Sequence, residues 1–559
     1  LDTANLDQLV QTLQQNKDRW ARLPVTRKVM YLDGILRRFA ALGGRQAEAC
    51  NRAKGVAEGT PRSGEEWAHV YQTVRLLRLL KSTLSGIASH GRNGFPLTSL
   101  RIRADSQLIA RVFPLSFTDR LLYAGIQGEV WMQPGVSDQN LGQNIAAFYR
   151  RSQPEGKVAL VLGAGNVASI GPSDLLQKLF VEGQVCLFKH NPVTAYLAPV
   201  LEEAFGELMR DGFLCMTQGG AEEGDYLCGH PGIDEIHLTG SDRTYEAIVF
   251  GPGEEGRRRK RERQPRMTKR FTCELGNVTP IIVVPGPWTS ADVQFQAENI
   301  VTQMTVNCGF NCLSARVLVL ARGWPQGREL MDAIRALLRA EGPRKAYYPG
   351  VERRYDEVVG ANRTAEAIGT RSEGVLPYTL VPDLDPDDRD NPCFRTECFM
   401  PLLAQTSLQA DTAPDFLRGA VEFANMALWG TLSASVIIHP ETRRRMGPEF
   451  ENCIAEMRYG TVGINVWTAL GYVLGSTTWG AYPGHEPDDI QSGSGAVHNA
   501  FLFDRPQKSV VTGPFRSWPR PPWFVTNRAT HHIFPLLCEL ERRPGALKTL
   551  RVMLAALRG

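Results

Sequence analysis

Asn307-Cys308-Gly309-Phe310-Asn311-Cys312-Leu313-Ser314-Ala315-Arg316 is the stretch on which the reading of this chain turns. It follows a run with helical spacing, Ala297–Val306, and precedes an apolar run of strand character, Val317–Ala321. The ends of strands and helices are where a scaffold presents reactive groups, so a cysteine here is placed to meet a substrate. Upstream lies Cys273-Glu274-Leu275-Gly276-Asn277, which supplies a carboxylate. The thiolate is the nucleophilic form of cysteine, and a nearby carboxylate can take a proton from a thiol or from a water.

These two stretches together resemble the aldehyde dehydrogenase superfamily, which carries E-L-G-G and, some tens of residues later, G-Q-x-C. Here Glu274-Leu275-Gly276-Asn277 and Gly309-Phe310-Asn311-Cys312 set the carboxylate and the cysteine 38 residues apart. Asn277 replaces the second glycine and Phe310 replaces the glutamine, and neither change removes a reactive group. Cys308 is a second candidate thiol, but only Cys312 stands three residues after Gly309. The resemblance therefore implies Cys312 as nucleophile and Glu274 as general base.

Size and composition bound the rest. A chain of 559 residues can hold two or three domains with full cores. A net charge of +4 on this length is nearly balanced and argues against nucleic acid as a partner. No apolar run reaches the ~18 residues that a membrane span needs. The chain starts at Leu1 and not at methionine, so an incomplete N-terminus is expected, and no signal peptide is visible in the residues present. Eleven cysteines without a repeated C-x-x-C frame point to reduced thiols and a cytoplasmic location. Cys308 and Cys312, four apart with no nearby histidine, make a poor zinc site, and no metal is expected.

Residues 1–98 read as helices (Leu6–Gln14, Val25–Ala41 and Trp67–Leu84), with Ser63 as the cap of the third. Short alternating runs such as Leu108–Phe113 and Val130–Gln133 read as strands. From 157 to 240 strand and helix alternate: Val158–Leu162, Pro172–Val181, Val185–Lys189, Thr194–Met209, Ile236–Leu238. That alternation is the signature of a parallel sheet with crossover helices. Gly163-Ala164-Gly165-Asn166-Val167-Ala168 fits G-x-G-x-x-A, with Gly165 as a cofactor-approach position. The acid that a dinucleotide fingerprint wants at the end of the second strand is replaced by Lys189-His190-Asn191-Pro192. The same stretch resembles the cofactor domain of the aldehyde dehydrogenases, with Asn166, Lys189 and Thr239-Gly240-Ser241 matching in order. The resemblance implies Asn166 as a donor to a substrate oxyanion. It implies Lys189 at the adenosine ribose, and Gly240 and Ser241 at a helix start suited to a pyrophosphate. The basic run Arg257–Arg263 reads as a solvated insertion.

A second α/β unit runs from Pro280 to about Leu474, and within it Glu397-Cys398-Phe399-Met400-Pro401 resembles the family's E-x-F-G-P. This implies Glu397 at the nicotinamide ribose and Phe399 beside the nicotinamide. Expected divisions are a helical part at 1–98, a cofactor domain at 99–275, a catalytic domain at 276–474, a substrate loop and oligomerisation strand at 475–515, and an extension at 516–559. Lys508–Val511 would be the strand that pairs with a neighbouring subunit of a homodimer or homotetramer. The fold class expected is α/β, with two doubly wound parallel-sheet domains. The function expected is NAD- or NADP-dependent oxidation of a small-molecule aldehyde, apolar or aromatic to judge by the 467–482 segment. Two rivals share these residues: a CoA-acylating dehydrogenase, which exchanges the thioester with a thiol, and a retired, dehydrogenase-like binding subunit. Glu274 argues against the first. Retention of Cys312, Glu274, Asn166, Lys189 and Glu397 together argues against the second.

Overall fold

The computed structural model of the chain describes residues 2–91 and 99–559. The expected boundary at 98 lies outside the described residues. Among the described residues eighteen strands are formed. In the first third they are β1 (Leu100–Ile102), β2 (Leu108–Phe113), β3 (Gln127–Met132), β4 (Val158–Leu162), β5 (Val185–Lys189) and β6 (Leu214–Thr217). Next come β7 (Glu235–Gly240), β8 (Arg270–Leu275), β9 (Thr279–Val283), β10 (Ala315–Ala321), β11 (Glu366–Ile368) and β12 (Tyr378–Leu384). The last are β13 (Leu402–Leu408), β14 (Ser433–Ile437), β15 (Thr461–Ile464), β16 (Trp479–Gly480), β17 (Ala496–His498) and β18 (Pro506–Thr512).

Two sheets carry the architecture. The smaller is fully parallel, in the order β6-β5-β4-β7-β8. Its strands are apolar on both faces, as burial between two helical layers requires: Val158–Leu162 and Val185–Lys189 are buried at every position. The N-terminal helices, Thr3–Ala21, Val25–Lys54 and Gly64–His90, are longer than the sequence periodicity indicates. They pack over this sheet around fully buried Trp20, whose ring lies edge-on to Tyr31 and Phe180. Ser63 does not cap the third helix; its hydroxyl donates to Thr60 O at 2.7 Å. Because the strands are parallel, their carboxyl ends share one edge, where an open α/β sheet binds ligands. Asn166 follows β4, Lys189 ends β5, Gly240 ends β7 and Glu274 precedes the last residue of β8.

The larger sheet has eleven strands in the order β1-β2-β3-β18-β15-β14-β9-β10-β13-β12-β11. Its centre is parallel and both flanks are antiparallel. Two expectations change here. Strands β1 to β3 do not belong with the cofactor half: they join the larger sheet through β18. Nor does Lys508–Val511 present a free edge to a neighbour. It pairs antiparallel with β3 (Val510 opposite Glu129) and parallel with β15 (Val510 opposite Val462). Burial explains the register. Lys508 is turned inward with its ammonium donating to Ala455 O at 2.8 Å and Ile454 O at 3.1 Å. A one-residue slip would move it to the other face.

The basic run forms the last part of a short helix, Gly253–Arg261, whose arginines pair with Glu254, Glu255 and Glu262 at the surface. The C-terminal extension folds back. Its helix Thr530–Arg542 lies on Gly64–His90, and the fully buried guanidinium of Arg75 joins Glu541 to Asp119. Among the described residues no helix is long and apolar enough to cross a membrane.

Because both edges of β18 are satisfied within one chain, Val510→Pro should act on folding. It removes a ladder donor from a central strand and should cost about 3 kcal/mol or more. Thermal denaturation should show a large fall in Tm that is independent of protein concentration. A variant that dissociates an assembly while keeping the wild-type Tm would show that this strand pairs between chains.

Candidate active site

The segment Val306–Gly309 ends the helix Ser290–Thr305 in a tight turn. Asn307, Cys308 and Gly309 take φ of 54°, 55° and 71°, three consecutive residues in the left-handed region. Non-glycine residues pay for that conformation, and it persists only where surroundings fix it. Gly309 has no substitute: a Cβ there would meet Met400 O at 2.5 Å. The surroundings are polar and saturated. Asn307 Nδ2 donates to Asn166 O (3.1 Å) and Phe310 O (3.1 Å), Asn311 Nδ2 to Val306 O (3.0 Å), and Asn166 Nδ2 to Phe310 O (3.0 Å). Buried Arg316 bonds Gly309 O at 2.6 Å and Met400 O. Phe310, in the place of the family's glutamine, packs among Tyr347, Tyr348 and Phe399 with ring centroids 5.0–5.7 Å away.

The turn separates the two candidate thiols. All eleven cysteines are free; ten are buried, and Cys312 is the exception. Cys308 lies within the wall, its Sγ directed to Arg344 O. Cys312 faces a cavity of about 590 Å³, with the Glu274 carboxyl and Trp479 beside it on the same lining. Burial, reinforced by the negative charges of Asp174 and Glu397, pushes the Glu274 carboxyl up to about 8. Burial and the Glu274 charge likewise hold the Cys312 thiol well above its usual range. The site is thus protonated at neutral pH: a thiol beside a carboxylic acid.

Glu274 is fixed from the far side by the 467–499 segment, where Ser494 N donates to Cys273 O (3.0 Å) and Cys273 N to Ser494 Oγ (2.9 Å). Asn277 fits where a second glycine is usual because its amide is buried in bonds to Ser433 O (2.7 Å) and Thr279 Oγ1 (2.9 Å). Its backbone N–H bonds Glu397. Gly276 leaves room for that carboxylate, since a Cβ would meet Glu397 Oε2 at 2.0 Å. Burial raises the Glu397 carboxyl to about 7 against the opposing pull of Arg316, and its Oε1 is buried without a partner. Phe399 stands beside it, 5.0 Å from Tyr348.

At the other end of the cleft, Lys189 Nζ donates to Gly219 O at 2.7 Å, and burial lowers its pKa. Glu223, which accepts from Gly220 N at 2.6 Å, is close enough to act on the Lys189 charge. Gly240 and Ser241 are exposed, and Ser241 Oγ caps the helix Asp242–Val249 by accepting from Thr244 N at 3.1 Å. Gly165 is covered: a Cβ there would meet Asn191 Oδ1 at 2.8 Å and the Tyr348 hydroxyl at 3.0 Å. An open approach to a cofactor over Gly165, as the glycine pattern implies, is therefore filled by side chains. Asn166 is buried against the nucleophile turn, with one amide N–H committed to Phe310.

Several residues carry no motif and emerge only from the fold. The cavity takes one wall from the tail, at Trp523 and Phe524, and another from Trp467, Tyr472 and Trp479. His498 also faces it, held by Asp174. The aromatic richness of 467–482 is the signal that pointed to part of this wall. Nothing in the spacing of Trp523, 211 residues beyond Cys312, indicates that it lines the same cavity.

A model of the aldehyde dehydrogenase family matches residues 137–342, which include Asn166, Lys189, Ser241, Glu274 and Cys312 but not Glu397 or Phe399. The 4-trimethylaminobutyraldehyde dehydrogenase of Oryzias latipes is 30% identical over 163 residues, 29% of this chain and 28% of that protein. The N-succinylglutamate 5-semialdehyde dehydrogenase of Ectopseudomonas mendocina is 30% identical over 174 residues, 31% of this chain and 32% of that protein. The chain thus spans less than a third of the length of these relatives. Among solved structures, the aldehyde dehydrogenase KauB from Pseudomonas aeruginosa aligns with a TM-score of 0.62 over 91% of this chain and 89% of that one, at 15% identity. The glyceraldehyde-3-phosphate dehydrogenase GapN from Methanocaldococcus jannaschii, complexed with NADP, aligns with 0.59 over 92% and 95%, at 12%. At such identities the likeness is one of fold. Residues 137–342, which carry the motifs from Asn166 to Cys312, thus match the aldehyde dehydrogenase family, and the fold around them is one shared with solved aldehyde dehydrogenases.

Proposed function

We propose that the chain oxidises an aldehyde to a carboxylic acid through a covalent adduct on Cys312, with NAD or NADP as cofactor. The observation that carries this is the partly exposed Cys312 thiol lining the same largely apolar cavity as the buried Glu274 carboxyl. Cys312 Sγ attacks the carbonyl carbon once its proton has left, giving a thiohemiacetal. The Cys312 backbone N–H and the second N–H of the Asn166 amide are the donors for its oxyanion. A bound nicotinamide supplies the hydride acceptor. Glu274, as carboxylate, then takes a proton from water, and the hydroxide releases the acyl group from sulfur as the acid. This hydrolytic role is why the reading favours acid release over exchange with a thiol.

The residues present fit the cofactor. The unpartnered Glu397 Oε1 is an acceptor for a ribose hydroxyl, and Lys189 with Glu223 stands where the adenosine ribose would lie. Gly240 and the capped helix after it would face the pyrophosphate. The tail closes the cavity with Trp523 and Phe524, so the acceptable length of the aldehyde is set by residues outside the family match.

Three outcomes are expected. Deacylation should rise about tenfold per pH unit below about 8 and level off above it, as the Glu274 carboxyl ionises. Glu274→Gln should abolish that limb and leave a burst of reduced cofactor in stopped-flow traces. Unchanged turnover to the acid would remove Glu274 from the mechanism. For the cofactor, kcat/KM with NAD and NADP should lie within about tenfold, or roughly 1.4 kcal/mol. Glu223→Gln should shift the ratio several-fold toward NADP, since a carboxylate there repels a 2′-phosphate; a ratio that does not move would take Glu223 out of the ribose site. For the substrate, Trp523→Ala should raise kcat/KM for longer aliphatic aldehydes relative to short ones. Equal changes for all chain lengths would show that the tail does not bound the cavity in solution.

A further inference from the structure

Beside the Cys312–Glu274 pair the cavity holds a second titratable pair that the mechanism above does not use. Asp174, from the helix Ile170–Leu176, is fully buried. It is surrounded by donors. His498 Nε2 lies 2.7 Å from Oδ1, His237 Nε2 3.2 Å from Oδ1, and the Thr239 hydroxyl donates to Oδ2 at 2.9 Å. These partners favour the ionised carboxyl and hold it well below the usual carboxylate range, against the cost of burial.

The network fixes the tautomers. A carboxylate accepts, so both imidazoles present Nε2–H to Asp174 and keep a lone pair on Nδ1. For His237 that lone pair is met by the Thr272 hydroxyl at 2.9 Å. For His498 it is not: Nδ1 is buried and has no partner. A buried acceptor left unpaired is costly, which calls for a donor in the cavity that His498 lines.

The donor at hand is the acid beside Cys312. His498 on β17 pairs directly across the ladder with Trp479 on β16, and both line the cavity together with Glu274. The His498 ring also lies 5.7 Å from that of Tyr472, which packs in one apolar cluster with Cys312 and Trp479. The groups facing His498 are thus Asp174 from its helix, with His237 of β7 behind it. Tyr472 comes from the helix Ala469–Val473, and Glu274 from β8 faces the same cavity across Trp479. None of these is a lysine or an arginine.

We propose that His498, oriented by Asp174, is the proton acceptor that arms this site. Its free Nδ1 takes the proton of the Glu274 carboxylic acid through a bridging water, both His498 Nδ1 and Glu274 Oε1 being buried without a partner in the chain. Glu274, now a carboxylate, takes the proton of the Cys312 thiol and leaves the thiolate. The sum is one proton moved from sulfur to imidazole, with the imidazolium paired to the Asp174 carboxylate and Nε2–H unchanged. The inference rests on the reading of Cys312 and Glu274 as nucleophile and base.

The test uses the free, full-length protein without aldehyde or cofactor. Alkylation of Cys312 by iodoacetamide is followed by peptide mass spectrometry between about pH 6 and pH 9, since the thiolate is the reacting form. His498→Gln keeps a donor near the Nε2 position and lacks the Nδ1 lone pair. It should label about tenfold or more slowly at pH 7, with its pH dependence displaced upward. His498→Ala should be equally slow and should recover in part when imidazole is added, whereas the wild type should not respond. A cooperatively melting His498→Gln with wild-type rate and profile, or a His498→Ala that imidazole does not restore, overturns the proposal. A wild-type protein that labels as expected but oxidises no aldehyde overturns the functional reading instead, and leaves the labelling result standing.

Discussion

The left-handed turn at Asn307–Gly309 is the constraint on which the site depends. Left alone, Asn307 and Cys308 would relax to ordinary backbone angles and carry Cys312 with them. They are held by four side-chain amide bonds and by the buried Arg316 guanidinium, which ties the turn to the Met400 carbonyl on a different strand connection. Two of those amide bonds run between the turn and Asn166, at the end of the first strand of the smaller sheet. Cys312 is therefore positioned by both halves of the molecule at once. The same clamp sorts the cysteines, turning Cys308 into the wall and Cys312 toward the cavity.

Electrostatics follows from this placement. Bringing Cys312, Glu274 and Glu397 into one largely buried region puts three acids where charge is costly, and burial raises all three. A site in that state is safe from adventitious oxidation of its thiol and inactive until a proton leaves. Asp174 pays part of the opposite cost: it stays ionised because two imidazoles and a hydroxyl meet it. The polar interior is thus divided between groups kept neutral and one group kept charged.

Much of this was legible in the sequence. Val158–Leu162 and Val185–Lys189 announce a parallel sheet because strands buried on both faces are apolar throughout, and local pattern suffices. Cys312, Glu274 and Asn166 stand out in the sequence because each lies near the end of an element and belongs to a short motif. What failed was non-local. Whether β18 meets a neighbour or its own chain depends on where β3 and β15 lie, which no window around Lys508 contains. Gly165 looked like an open cofactor position until Tyr348, 183 residues on, was seen to cover it. His498 and Trp523 reach the cavity through chain reversals that leave no periodic trace, and Glu223 approaches Lys189 from a separate helix, Ala221–Gly229.

The central claim is that Cys312 forms the covalent link with substrate. Intact-mass and peptide mass spectrometry after mixing the protein with a short series of apolar aldehydes and each nicotinamide cofactor, followed by acid quench, tests it most directly. The account predicts an acyl-mass increase confined to the peptide carrying Cys312. An adduct on Cys308 with Cys312 unmodified, or aldehyde oxidation with no adduct on either thiol in a quench fast enough to catch the burst, would contradict it.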